Sequence, residues 1–535
     1  MKKLILTDKS DFAQIHQLGG VYIDKTKEIY DCIGKGSYFF ISRPRRFGKS
    51  LLCSTLKEMF SGNRELFKGL WIDGSDWSWE KHPVIHLDMT LAAGSNNTSA
   101  RIQKNLCAQL QDIAQDYAVE LAPDTDPVSL LTALIKILNK KFGLGVVVII
   151  DEYDKPVLDL VDKASIRDEV HTILGDFYAP LKALETNLRF VLLTGVYKFS
   201  RASLFSKLNN LTDLTFESKA GTLLGYTQEE VESYFSEEID ALAAKEKLTR
   251  TEMIEKLRDN YNGYHFGLDK SSAELSPGVY NPFGLNHTFK ANQMKEEWFL
   301  SGSPSFLIKK IKEGNFEKIG PEGLDVDFGI LNNSTDPEGI NATTLLYYAG
   351  YATMQEFDKD TRYVRLNYPN LEVSEATAKE LYALFVNSGE LSITHKIALK
   401  IATCFQTGQF DNLKELFNQA LAQLSYQIIL SHEKYFQTVI LLLLNMSRLR
   451  VSAEIPSNDG SMDIVIEMHN KIIILELKFN KPATEGLQQI KDKNYAKKFR
   501  ALGLPITAVG LSIALGKNTE KSKCVVDLAV EKLSN

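Results

Sequence analysis

Tyr38-Phe39-Phe40-Ile41 is followed by Arg43-Pro44-Arg45-Arg46-Phe47-Gly48-Lys49-Ser50 and then by a helical stretch from Leu51 to Phe60. An apolar strand, a basic turn and a helix in that order resemble the phosphate-binding pattern GxxxxGK[ST]. The residue types suit the chemistry. Gly48 lets backbone N–H groups approach a phosphate, Lys49 reaches the β- and γ-phosphates, and the Ser50 hydroxyl holds Mg²⁺ at the positive N-terminus of a helix. Arg46, Gly48, Lys49 and Ser50 are therefore the candidate nucleotide contacts of the loop. One position departs from the pattern: Arg43 stands where the first glycine belongs, and no other residue at that position adopts a left-handed backbone as readily. A plain basic turn is the alternative reading.

Further along, Val146-Val147-Val148-Ile149-Ile150 is a continuous β-branched run, as expected of a strand buried on both faces of a parallel sheet. It ends in Asp151-Glu152. Carboxylates delivered at the C-terminal edge of an apolar strand suit Mg²⁺ binding by Asp151 and polarisation of the attacking water by Glu152. Residues 84–87 and 189–194 read as further strands, with helical patterns over 99–121 and 128–141. Strands separated by helices predict a doubly wound α/β domain to about residue 225. Thr194, ending its strand, is a candidate γ-phosphate sensor, and Arg201 a candidate arginine finger. From Thr227, where Glu230 is placed to close a capping box, the pattern turns helical to about residue 425. A stretch rich in Asn, Gly, Ser and Pro at 262–284 reads as loop.

The length, 535 residues, allows about three domains. With 44% hydrophobic and 24% charged residues the composition is globular, which excludes a rod or a collagen-like chain. A net charge of −6 excludes a polycation wrapped around nucleic acid, but the charge is uneven. Residues 421–535 carry fifteen Lys/Arg against eleven Asp/Glu, a net +4, which leaves −10 for residues 1–420. A basic end on an acidic body allows local contact with a polyanion. The five cysteines are scattered and never form a CxxC pair, which argues against a disulfide framework or a thiolate zinc site. The apolar start Leu4-Ile5-Leu6 stops at Thr7-Asp8-Lys9, too soon for a signal peptide, and no run reaches a membrane span. A soluble, cytoplasmic protein is expected.

The last 110 residues or so carry a second constellation. A helix (431–447), a strand pair (462–478), a helix (484–500) and a strand (506–512) are expected there. A two-residue turn at His469-Asn470 would pair Met468 with Lys471, so paired positions sum to 939 and Asp463 faces Glu476. Lys478 shares a face with Glu476 because strand side chains alternate. Opposed carboxylates repel across a ladder unless a cation bridges them, and oxygen ligands suit Mg²⁺ or Mn²⁺. The spacing suggests a metal-dependent phosphodiesterase centre, with Lys478 orienting water and offsetting phosphate charge. A surface hairpin with ordinary charges is the alternative, but Glu476 interrupts an almost wholly apolar run, where a charge is costly unless paired. Glu433, at the start of the preceding helix, is a candidate further ligand. The helix after the strands carries Gln489, Lys493 and Tyr495, candidates for contact with a nucleic-acid backbone.

Taken together, the chain resembles a bacterial family of AAA-ATPase-like proteins ending in a PD-(D/E)XK nuclease-superfamily domain. The resemblance spans nearly the whole length. It includes Tyr22-Ile23-Asp24-Lys25-Thr26, the Arg43–Ser50 block, Asp151-Glu152-Tyr153-Asp154-Lys155-Pro156, Tyr280-Asn281-Pro282 and Tyr368-Pro369-Asn370-Leu371-Glu372. Arg43 in place of glycine is usual in the family. By the same resemblance Asp463, Glu476 and Lys478 match the nuclease D…ExK signature, Glu433 its leading helix carboxylate, and Gln489 and Tyr495 its trailing helix. One position departs: Gly460-Ser461 stands where Gly-Arg is expected before the aspartate strand, which bears on the grip on substrate. The resemblance implies a P-loop domain (1–225), a mostly helical lid and connector (226–425) and a restriction-endonuclease-like α/β domain (426–535). It implies ATP and Mg²⁺ or Mn²⁺ as cofactors, DNA as the partner, no membrane, and an oligomer as one option. A nucleotide-switched binding protein with an inactive nuclease-like domain is the alternative.

Overall fold

The computed structural model describes residues 3–34, 36–93, 98–123, 126–160, 163–198, 208, 210–295, 323–332, 342–386, 391–424, 432–457, 460–515 and 524–533. Arg201 lies outside them. The chain divides into two compact units, Met1–Glu317 with Asp325–Leu366, and Lys318–Leu324 with Asn367–Asn535. Each is described by itself.

The first unit is built on five parallel strands: β1 (Tyr38–Ser42), β2 (Val84–Asp88), β3 (Val146–Asp151), β4 (Leu188–Gly195) and β5 (Thr212–Asp213), in the order β2-β3-β4-β1-β5. Every residue of β1 and β3 is buried, which is why both read as unbroken apolar runs. Local chemistry sets the helix between β2 and β3, Pro127–Phe142. Asp126 accepts from the N–H groups of Val128 and Ser129, Pro127 opens the first turn, and Gly143 ends the helix in the left-handed region (φ 66°). Because the strands are parallel, their C-terminal ends lie along one edge. Asp88 pairs with Asp151 and Ser42 with Gly195, so the loop after β1 and the turns after β2, β3 and β4 gather there.

The capping box at Thr227 and Glu230 forms as expected, with Glu230 N–H donating to the threonine hydroxyl oxygen and the Glu230 carboxylate accepting from Thr227 N–H. The stretch expected to be helical to residue 425 contains strand as well. Within the expected loop, β6 (Leu268–Asp269) and β7 (Glu274–Leu275) form a small antiparallel pair. Further on, β8 (Leu324–Asp327), β9 (Thr353–Phe357) and β10 (Tyr363–Asn367) form a sheet in the order β8-β10-β9. Buried Val364 and Leu366 alternate with exposed Tyr363 and Arg365, a period of two that is too short to stand out among helical neighbours.

The second unit carries β11 (Arg450–Ser457), β12 (Gly460–Met468), β13 (Lys471–Phe479), β14 (Ile506–Leu515) and β15 (Cys524–Leu533) in that order across one sheet. β13 and β14 run parallel and the other pairs antiparallel. The register of β12 with β13 is the one expected, from Met468↔Lys471 to Ile464↔Leu475. The edge strands β11 and β15 were not legible in the sequence, and the helix expected over 484–500 is two pieces, Ala483–Asp492 and Lys497–Arg500. Asn494 breaks it with a left-handed backbone (φ 42°).

Two glycines let the first of these helices lie unusually close to the sheet. A Cβ at Gly486 would sit 2.9 Å from the Glu476 carbonyl oxygen, and one at Gly510 only 2.0 Å from the Ala483 carbonyl oxygen. Gly510→Ala is therefore expected to push helix and sheet apart and to lower stability by about 1–3 kcal/mol, read by chemical denaturation. An unchanged midpoint would mean that the close approach does not matter.

Candidate functional site

In the first unit the loop from Arg43 to Ser50 turns on two residues with left-handed backbone, Arg46 (φ 71°) and Gly48 (φ 97°). Gly48 caps the helix Lys49–Phe60, so this helix aims its free N–H groups at the loop. Arg43 is not among the residues of positive φ, so no glycine is required there. Its side chain is a structural post instead. The guanidinium is 1% exposed, donates at 2.8 Å to the carbonyls of Ser42, Thr215 and Ala220, and lies 4.5 Å from the Phe266 ring centre. Burial lowers its pKa to about 10. Replacing it with the glycine of the general motif, Arg43→Gly, should thus weaken the site. We expect a stability loss of at least about 2 kcal/mol in denaturant titration, since three charge-assisted bonds go with it. Stability equal to or above wild type would contradict this role.

The loop borders a cavity of about 460 Å³. Arg45, Arg46, Lys49 and Ser50 line it from the loop, and Asp151 and Glu152 from the strand edge. Lys49 Nζ donates to the carbonyls of Arg43 (3.1 Å) and Pro44 (3.2 Å) and lies 3.4 Å from Glu152 Oε1. Asp151 Oδ1 accepts from the Thr194 hydroxyl at 2.6 Å and from Glu152 N–H at 3.0 Å. Thr194 is fully buried, so it touches the site through Asp151. Glu152 itself has a left-handed backbone (φ 53°), a costly conformation for a non-glycine residue that recurs at functional sites. A cationic end facing two carboxylates fits a nucleotide polyphosphate with a divalent ion.

Sequence reasoning missed Asp88 and Thr90, which border the same cavity beside Asp151. Asp88 carried the signal that marked Asp151, a carboxylate ending an apolar strand. The far wall, with Leu6, Thr7, Tyr226 and Phe283, comes from segments remote in sequence and had no local signal.

In the second unit the β12–β13 ladder ends at Ile464↔Leu475, and the carboxylates sit just beyond. Asp463 Oδ2 accepts from Leu477 N–H at 2.7 Å, and Asp463 N–H donates to Glu476 Oε2 at 3.4 Å. Lys478 Nζ donates to Glu476 Oε1 at 3.2 Å, and the Gln489 amide donates to the same oxygen. Glu433 Oε2 accepts from Phe479 N–H at 3.0 Å. Leu477 and Phe479 direct their N–H groups to the same side of β13, two residues or about 7 Å apart. Glu433 thus lies one step along the strand edge from Asp463. Among the described residues no three His, Cys, Asp or Glu side chains are gathered tightly enough to hold a metal ion. Two opposed carboxylates remain, a set that fits Mg²⁺ or Mn²⁺, which complete their shells with water and substrate oxygens.

The break at Asn494 changes the part played by the trailing helix. Tyr495, expected to face nucleic acid, is fully buried among Met462, Ile490 and Phe499, and its hydroxyl donates to the Ser461 carbonyl at 2.7 Å. Gln489 holds Glu476. Lys493 is half-buried beside Gly460, where an added Cβ would lie 2.7 Å from its Nζ. A cation therefore stands next to Ser461, the position that lacks the expected arginine.

Glu476 is 1% exposed. Burial above all, then the Asp463 charge, raises its carboxyl from 4.5 to about 7, with Lys478 opposing. Between these values the folded chain holds a proton that the unfolded chain has released. The stability contributed by this group therefore falls as pH rises through that window. A metal must also displace that proton. Mn²⁺ affinity measured by calorimetry should rise with pH up to about 7 and then level off, and Glu476→Gln should abolish both the binding and the pH slope of stability. Mn²⁺ affinity independent of pH would exclude Glu476 as a ligand.

Comparison with known proteins bears on both units. A family model described as "Predicted AAA-ATPase" matches residues 8–205, and one for the PD-(D/E)XK nuclease superfamily matches residues 431–522. The "Uncharacterized protein in vnfD 5'region" of Azotobacter chroococcum mcd 1 is 32% identical over 523 residues, covering 96% of this chain and 95% of that protein. Among the described residues no helix is long and apolar enough to cross a membrane. With a P-loop-like parallel sheet in one unit and a nuclease-like mixed sheet in the other, the chain belongs to the family that joins an AAA-ATPase-like domain to a C-terminal PD-(D/E)XK nuclease-superfamily domain.

Proposed function

We propose that the chain binds and hydrolyses MgATP in its first unit and cuts phosphodiester bonds of DNA in its second, with nucleotide gating the cut. In this reading residues 1–225 are the ATPase domain, 226–425 a lid and connector, and 426–535 the nuclease domain. At the first site Gly48, Lys49 and Arg46 bind phosphate, Ser50 and Asp151 hold the Mg²⁺, and Glu152 polarises the attacking water. Lys49 is tied to loop carbonyls, bonds that an arriving phosphate would replace. At the second site Asp463 and Glu476 hold the ion, while Lys478 orients water and offsets charge on the phosphate. A divalent ion at either site supplies phosphate charge neutralisation and a more acidic water.

The observation that carries the nuclease reading is the buried Glu476, flanked by Asp463, Lys478 and Gln489 at the point where the ladder ends. A merely structural carboxylate gains nothing from a second carboxylate beside it, because like charges raise the cost of burial. Support for a polyanionic substrate comes from the net +4 of residues 421–535 and from Lys493 beside Ser461. The rival reading, a nucleotide-switched binding protein, is favoured by Ser461 itself.

Purified protein incubated with plasmid and single-stranded DNA, Mg²⁺ or Mn²⁺, with and without ATP, tests this. Wild type should cut, Glu476→Ala should be at least about 10²-fold slower, and Lys49→Ala should lose nucleotide affinity and any ATP dependence of cutting. ATP-sensitive DNA retention without cutting would establish the binding protein instead.

A further inference from the structure

The turn after β3 contains a residue to which neither phosphate binding nor metal binding gives a role. Asp154 is 0% exposed, and its Oδ2 accepts the N–H groups of Val196 (3.0 Å) and Tyr197 (2.7 Å), which follow β4. Its neighbour Tyr153 adds two bonds to the same segment. Tyr153 N–H donates to the Thr194 carbonyl at 2.9 Å and its hydroxyl to the Tyr197 carbonyl at 2.7 Å. Four hydrogen bonds thus join the turn after β3 to the end of β4. Gly195 makes the approach feasible, since a Cβ there would meet Asp154 Oδ1 at 2.5 Å and Tyr153 Cδ1 at 2.6 Å.

This clasp lies where the pairing of β3 with β4 stops, while β4 stays paired with β1 as far as Gly195. Between β3 and β4 the paired register runs only to Ile150↔Leu193, one residue short of Asp151 and Thr194. Those two side chains must nonetheless stay within 2.6 Å of each other. The clasp is also more than a tether. Among the described residues Asp154 Oδ1 is buried with no hydrogen-bond partner, an unfavourable feature that a plain structural link would have no reason to keep. Burial, with the Glu152 charge adding, raises its carboxyl to about 7. Among the described residues Lys49, Tyr178 and Tyr197 also interact with it electrostatically.

We propose that Asp154 is a positioning residue of the nucleotide site, which locks the exit of β4 onto the turn after β3 and so holds Thr194 against Asp151. The inference rests on reading the Arg43–Ser50 loop as a nucleotide site. Asp154 does not line the cavity; it acts through Thr194, whose hydroxyl fixes one oxygen of Asp151 and would leave the other for an ion. A displacement of about 1 Å at such a group can cost about 10²-fold in rate.

ATP turnover and nucleotide affinity of the full chain, measured on wild type, Asp154→Ala, Asp154→Asn and Tyr153→Phe, test this. Asp154→Ala should lower kcat about 10- to 100-fold while nucleotide Kd stays within about threefold. Asp154→Asn keeps an oxygen for the two N–H groups and should recover kcat to within about threefold of wild type. Tyr153→Phe, which loses one bond and little packing, should fall between them. The proposal is overturned if Asp154→Ala turns over ATP like wild type, or if kcat and affinity fall together without rescue by asparagine. If wild type binds nucleotide but does not turn it over, hydrogen exchange of residues 194–198 decides. MgATP-dependent slowing that Asp154→Ala abolishes supports the lock, and no slowing in wild type overturns it. Absence of nucleotide binding by wild type would remove the site reading and the proposal with it, an outcome visible in the wild-type arm alone.

Discussion

Asp151 closes a strand in which every residue is buried, and a carboxylate there requires donors, which the Thr194 hydroxyl and Glu152 N–H supply. Much of the first unit follows from that requirement. The donors come from β4 and from a strained turn, so β4 has to end level with β3 and the turn has to stay tight. The same requirement recurs in the second unit with different residues. Glu476 is buried in an apolar strand, and Lys478, Gln489 and Asp463 N–H donate to it. In both units the ladder between the strands concerned stops one residue before the carboxylates. Beyond that point backbone N–H groups of the strand have lost their ladder partners, and side chains take their place. Asp463 caps Leu477 and Glu433 caps Phe479, while Asp154 caps Val196 and Tyr197. A carboxylate gains the donors it needs where the pairing of two strands ends.

The loop after β1 shows how a motif is kept while one of its residues changes. Its shape needs left-handed backbone at two positions, and Arg46 and Gly48 supply it. Position 43 is free of that demand. An arginine there fixes the loop from below by bonding to the carbonyls of Thr215 and Ala220. The loop's far side is tied as well, because the Arg46 guanidinium lies 4.5 Å from the Phe283 ring, which follows the cap formed by Asn281. The Tyr280-Asn281-Pro282 motif thereby has a physical role, since Asn281 starts the helix that forms the far wall of the cavity.

Glycine chemistry settles the second site in a different way. The helix Ala483–Asp492 lies on β13 and β14 at a distance only Gly486 and Gly510 permit. That closeness brings the Gln489 amide to Glu476. The break at Asn494 then turns Tyr495 inward to the Ser461 carbonyl, so a residue that reads as part of a basic surface helix supports β12 from within. Lys493, just before the break, is left beside the strand start where an arginine is absent.

Sequence alone determined whatever depends on neighbours along the chain. The apolar runs of β1 and β3, the glycine-lysine-serine turn, the two carboxylates after Ile150 and the two-residue turn at His469-Asn470 all follow from residue type and period. From that turn the pairing of Asp463 with Glu476 follows by counting, because a hairpin register is fixed once its turn is fixed. Tertiary structure decided what depends on residues far apart. The edge strands β11 and β15 are recognisable only by the strands they pair with, and the short sheet of β8, β9 and β10 is shorter than the helical patterns around it. The far wall of the cavity, the post formed by Arg43 and the clasp formed by Asp154 join segments dozens to hundreds of residues apart. Their partners are mostly backbone carbonyl and N–H groups, which every residue carries. No pattern of side chains could have announced them.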